Sequence, residues 1–98
     1  MDTRIYRLKK WTNYLFWYQH RCFEIKDMWL HYYWDTDDIG RVVRGSMNLH
    51  SVKATRVNSR TLHLSSRNLT YYLKSDSEKD MQDFICGLQE MDVLVSDT

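Results

Sequence analysis

Two cations, Lys10 and Arg21, bracket the least ordinary stretch of this 98-residue chain. Lysine offers phosphate a compact charge and arginine a planar fork of donors, so a pair of them can cage it. A phosphomonoester carries close to two charges and three acceptor oxygens, enough to occupy both. Between the cations lie Tyr14, Leu15, Phe16 and Trp17, with Asn13 the only turn former beside them. Chain reversals are ordinarily built from Gly, Asn, Asp and Pro, and their tips ordinarily face water. An apolar tip above a basic base suits an anionic bilayer, where the rings enter the headgroup layer and the cations meet phosphate. The same residues would also serve a tip folded back as core or packed on another subunit, and spacing alone leaves these readings open.

The flanking sequence predicts the elements that would position this pair. Ile5 to Trp11 alternates as a first strand, with Ile5 and Arg7 on one face and Tyr6 and Leu8 on the other. Tyr18 to Lys26 alternates as a second; Gln19, Arg21, Phe23 and Ile25 share one face, and His20, Cys22 and Glu24 the other. A hairpin of these two strands brings Lys10 and Arg21 together. Further strands are predicted over 29–34, 45–50, 52–57, 61–65 and 69–73, separated by a polar loop at 35–40 and by short turns. The period then changes. Met81, Phe84, Ile85, Leu88 and Met91 form a helical stripe, preceded by Ser75-Asp76-Ser77-Glu78, a capping-box pattern. Gly87, inside that helix, is read as a place where a strand approaches closely. Residues 93–98 read as a frayed tail. With no strand–helix–strand alternation, the fold class is mainly β: a seven-stranded antiparallel bent sandwich or partial barrel, capped by one C-terminal helix.

Charge is separated along the chain although the net value is only +1. Residues 1–26 carry +4, 27–40 carry −4, 41–74 carry +7 and 75–98 carry −6. One basic and one acidic face are expected, the basic one facing a polyanionic partner. No catalytic arrangement is visible. The four histidines and the carboxylates Asp35, Asp37 and Asp38 fit no metal spacing, and no glycine-rich phosphate loop occurs. Neither catalytic activity, a metal nor a cofactor is therefore expected. Cys22 and Cys86 read as reduced, buried, small apolar residues of a cytoplasmic protein. No apolar run reaches the ~20 residues of a membrane helix.

Particular strings narrow this further. Lys10-Trp11-Thr12-Asn13-Tyr14-Leu15, then Tyr18-Gln19, Arg21 and Phe23, resembles the first hairpin of one group of pleckstrin-homology (PH) domains. That group comprises oxysterol-binding protein and its relatives, the ceramide-transfer protein and the four-phosphate-adaptor proteins. Leu30-His31-Tyr32-Tyr33 resembles their third strand, Arg44-Gly45-Ser46-Met47-Asn48-Leu49 their fourth, and Tyr72-Leu73-Lys74-Ser75 the approach to their helix. The resemblance spans about residues 4–91 and implies a single PH domain over 1–98 that binds phosphatidylinositol 4-phosphate on trans-Golgi membranes. It implies that Lys10 and Arg21 grip the lipid phosphates, with Arg44 and one of Tyr32 and Tyr33, taken as Tyr33, beside them. Trp11, Thr12 and Asn13 would shape the pocket, and Tyr14, Leu15, Phe16 and Trp17 would enter the membrane.

The implied protein is a peripheral membrane protein of the cytoplasm, engaged in lipid transport, with an Arf-type small GTPase as a second partner. The sequence departs from the group where Tyr6 and Trp17 replace glycines, Cys22 replaces a Trp, and Phe84 replaces the Trp of the helix. The alternative function is a PH-fold module that docks a protein with little or no lipid. A single-stranded nucleic-acid groove is disfavoured, because the rings concentrate in a loop and in core strands. A monomer is the expected state, the apolar loop being the surface a dimer would use away from a membrane.

Overall fold

A computed structural model describes residues 4–13 and 15–98. The strands are β1 (Arg4–Thr12), β2 (Trp17–Lys26), β3 (Trp29–Tyr33), β4 (Gly45–Asn48), β5 (Lys53–Asn58), β6 (Thr61–Ser66), β7 (Leu69–Lys74) and β8 (Val95–Asp97), with helix α1 (Glu78–Glu90) before the last. They hydrogen-bond in the order β4-β3-β2-β1-β7-β6-β5-β8. β1 and β2 pair along their whole length, from Arg4 opposite Ile25 to Thr12 opposite Trp17. β1 and β7 are joined only through Lys9–Lys74 and Lys10–Leu73, yet both halves of the sheet contribute to one core. Leu8, Phe23, Leu30 and Met47 enter it from one half and Leu62, Leu64, Tyr71 and Leu73 from the other. The mainly β fold with a helix after the seventh strand matches the expectation from alternation.

Helix α1 lays Met81, Phe84, Ile85 and Leu88 on that core. Its N-cap is Ser77 rather than Ser75. The Ser77 side chain accepts from the Asp80 amide at 3.1 Å, while the buried Ser75 hydroxyl donates to the Ser77 carbonyl at 2.6 Å. Ser75 is thus occupied in the strand-to-helix turn, and the capping pattern shifts by two residues. Gly87 does meet a strand. A Cβ there would lie 2.2 Å from the Tyr6 hydroxyl, and the Tyr6 ring packs edge-on against Phe84 at 5.1 Å. Tyr6 and Phe84, two of the departures from the group, therefore share one space, in which a ring from β1 sits beside the smaller ring of the helix.

Several expectations are corrected. The segment read as a frayed tail contains β8, which pairs in parallel with β5, so the sheet has eight strands and is not wholly antiparallel. Val93 is buried, and three residues placed on a free strand edge carry too little sequence to show a period. The fourth strand stops at Asn48, whose side chain accepts from the His50 amide and opens a 3-10 turn. Leu69, which alternation sets on the same face of β7 as Tyr71 and Leu73, is exposed at the strand end while those two are buried. Cys86 is exposed on the helix. Cys22 is buried but lies on the face of β2 away from the core. The polar loop after β3 contains a 3-10 turn, Thr36–Asp38, capped by Asp35. Among the described residues no helix is long and apolar enough to cross a membrane.

Candidate functional site

The inward positions of β1 begin as Tyr6 and Leu8 and continue as Lys10 and Thr12. On β2 the inward positions run back from Ile25 and Phe23 to Arg21. Strand alternation therefore carries the same face from apolar to cationic, without any twist out of register. Beyond β3, Trp34 follows Leu30 and Tyr32 on that face. The result is a pocket of about 250 Å³ lined by Lys10, Thr12, Arg21, Tyr32, Trp34, Val43 and Arg44. Gly45 makes room for it: a Cβ there would fall 2.3 Å from the Tyr32 ring.

Rings and backbone carbonyls, not carboxylates, hold the three cations. The Lys10 ammonium lies 5.1 Å from the Tyr32 ring centre and 5.0 Å from that of Tyr71. Burial, and then the charge of Arg21, lowers the Lys10 pKa. The Arg44 guanidinium sits 3.9 Å from the Trp34 ring centre, that of Arg21 5.8 Å, and Arg21 donates to the His20 carbonyl at 2.7 Å. None of the ion pairs among the described residues involves Lys10, Arg21 or Arg44. Their charge is left for a ligand, and three cations converging on one pocket suit an anion with several acceptor oxygens.

Known proteins share this fold. No family model matches the chain. It is 37% identical over 82 residues to mouse (Mus musculus) oxysterol-binding protein 2, an alignment covering 84% of this chain and 9% of that protein. Its fold superposes on the solution structure of the PH domain of human oxysterol-binding protein-related protein 11 with a TM-score of 0.77, at 21% identity, covering 91% of this chain and 78% of the other. It superposes on the C-terminal PH domain of pleckstrin, crystallised with an inositol pentakisphosphate, with a TM-score of 0.74, at 20% identity, covering 89% and 91%.

The chain has the pleckstrin-homology (PH) fold. The resemblance drawn from the Lys10–Leu15 string is thus borne out, while the chain spans about a tenth of the length of the curated relative it matches.

Within this PH fold the expected site residues divide. Lys10, Thr12, Arg21 and Arg44 converge. Tyr33 does not: it is 1% exposed, faces away from the pocket and donates to the buried Glu24 carboxylate at 2.7 Å. The place assigned to it belongs to Tyr32, because neighbouring strand residues point to opposite faces. Burial, and donation to Glu24, push the Tyr33 phenol up. Trp11 and Asn13 do not line the pocket either. Trp11 packs edge-on against Tyr18 at 5.3 Å and donates to the Asn13 side chain at 3.0 Å, bracing the hairpin from outside. Thr12 both lines the pocket and closes the loop, donating to the Trp17 carbonyl at 2.9 Å.

The apex lies out in solvent. Leu15, Phe16 and Trp17 are 54%, 73% and 68% exposed; Tyr14 lies outside the described residues. Phe16 adopts φ 51°, a left-handed conformation that costs a non-glycine residue about 1 kcal/mol. Trp17, the residue standing for a glycine, lines a hollow on the outer face with Lys9, Trp11, Tyr18 and Lys74, and leaves the pocket clear. Three contributors to the site were not anticipated. Trp34 continues the alternation of β3 and Val43 precedes Arg44, so both had a local signal. Tyr71 reaches Lys10 from a strand far off in sequence and had none.

Proposed function

We propose that this PH domain binds a phosphoinositide headgroup, phosphatidylinositol 4-phosphate in the first instance, and thereby holds its protein peripherally on Golgi-type membranes. The observation that carries this reading is the coincidence of three cations with no carboxylate partner among the described residues and an exposed apolar apex at the same end of the molecule. Lys10, Arg21 and Arg44 receive the phosphates, Thr12 and Tyr32 bound the ring, and Leu15, Phe16 and Trp17 enter the bilayer, with Tyr14 assigned to the same wedge. The inositol pentakisphosphate bound to the pleckstrin domain supports the ligand class. Each cation near an anionic surface contributes roughly 1 kcal/mol, and each fully buried apolar side chain about 1.5–3 kcal/mol, less when partly inserted. Neither contribution alone retains a protein on a membrane; together they demand charge and a penetrable headgroup layer at once.

Vesicle flotation tests this. Recruitment should rise with phosphatidylinositol 4-phosphate and fall in Lys10→Ala, in Arg21→Ala and in Phe16→Asp. Basic-pocket variants that float like the parent would overturn the pocket assignment. Vesicles that never recruit the domain, while an Arf-type GTPase or another protein does, would favour the protein-docking alternative. No catalytic activity is assigned.

A further inference from the structure

The pocket has an apolar rim on both sides. Opposite the hairpin apex, the segment joining β3 to β4 exposes Trp34 at 54%, Val42 at 52% and Val43 at 45%. Trp34 faces the apex residue Leu15 across a hollow beside the pocket, and Val42 precedes the pocket residue Val43 in the chain. Trp34 and Val43 line the cation pocket, and Trp34 also lines an adjoining hollow of about 700 Å³ together with Thr12, Leu15, Arg21, Asp35 and Arg44. The segment is held in place by its own backbone. Arg41 and Val42 amides donate to the Asp38 carbonyl at 2.8 and 3.2 Å, and Gly40 supplies the left-handed turn at φ 77°. The Arg44 amide donates to the Tyr32 carbonyl at 2.8 Å, which fixes Val43 beside the start of β4.

We infer that Trp34, Val42 and Val43 form a second bilayer contact, so that the domain straddles a headgroup between two apolar edges instead of pivoting on one wedge. The occupant is a lipid surface, and this rests on the function proposed above. The surfaces are complementary: cations without an ion pair among the described residues lie between two apolar edges, and an anionic layer over hydrocarbon presents those features in that order. Tryptophan is suited to that depth, its ring apolar and its N–H able to remain wet. Asp35, which caps the 3-10 turn, also lines the adjoining hollow, where Arg21 and Arg44 outnumber its charge. Two contacts also fix the tilt of the domain, which a single wedge leaves free.

The test uses single cysteines labelled with an environment-sensitive fluorophore in a Cys86→Ser background, Cys22 being buried. Labels go at 15, at 42 and, as a distant control, at 92. The vesicles are phosphatidylcholine with and without a few mole per cent phosphatidylinositol 4-phosphate, and brominated lipid serves as quencher. Labels at 15 and 42 should both shift to the blue and be quenched, the label at 92 neither. Val42→Asp should weaken vesicle binding about five- to tenfold while leaving affinity for soluble inositol phosphate unchanged. A label at 42 that stays in water while the one at 15 enters would overturn the second contact alone. Soluble inositol phosphate binding with neither label entering would overturn it together with the membrane reading.

Discussion

At one end of the β1–β2 hairpin the inward positions are Tyr6, Leu8, Phe23 and Ile25, and Phe84 and its helix neighbours lie against them. At the other end the inward positions are Lys10, Thr12 and Arg21, and they remain part-exposed. The strands, the register and the alternation are common to both ends. What differs is the cover. Where α1 supplies rings and aliphatic chains, the face must be apolar to match. Past the helix, the same face can afford charge, since water solvates whatever no ligand occupies. The site is therefore a continuation of the core beyond its lid, and one end of the molecule stores stability while the other stores unneutralised charge.

Substitutions at the two ends should separate these roles. Phe84→Ala, at the covered end, should cost about 3–5 kcal/mol of unfolding free energy by chemical denaturation. Once folded, it should bind vesicles as the parent does; a selective loss of vesicle binding would blur the contrast. Arg21→Ala, at the open end, should lower vesicle affinity by more than tenfold, from the loss of a charge-assisted contact of about 1.5–3 kcal/mol. Its melting temperature should stay level or rise, because it relieves repulsion on Lys10. Gly87→Ala should destabilise by roughly 1–3 kcal/mol through collision with Tyr6. In combination with Tyr6→Leu the two losses should fall short of additive in a double-mutant cycle.

The smallest effect sits where the ends meet. Burial first, and then Tyr32, pushes the Tyr71 phenol up to about 12 from its ordinary 10.0. A group whose folded pKa is raised contributes stability that is whole below 10.0 and is lost as pH rises from 10.0 towards 12. Tyr71→Phe should make that alkaline decline shallower in pH-dependent denaturation, without changing headgroup affinity, since the ring beneath Lys10 is retained. An unchanged alkaline slope would assign the loss to other groups.

Much of the site was readable because it is local. Lys10 and Arg21 flank one loop, so a hairpin brings them close, and its register sets them on one face. Arg44 was named through its Arg-Gly-Ser string. Tyr33 was mistaken for Tyr32 because two adjacent tyrosines differ only in which face they take, and five residues, most of them rings, are too short an alternation to mark the difference. Trp11 and Asn13 were assigned to the pocket only through the resemblance of the Lys10–Leu15 string, whereas the pleat sends Trp11 outward to Tyr18.

The order of strands, the helical stripe, the apolar apex and the cations at its base all follow from residue types and their period. Only the folded chain decided what each face meets. Tyr71 comes beneath Lys10 because β7 pairs with β1 there. The 93–98 segment is part strand because β5 offers it an edge. Tyr6 and Phe84 compensate one another because Gly87 lets them approach. Each of these joins residues far apart in sequence, and a periodic pattern records which side of an element is apolar but not which distant element will cover it.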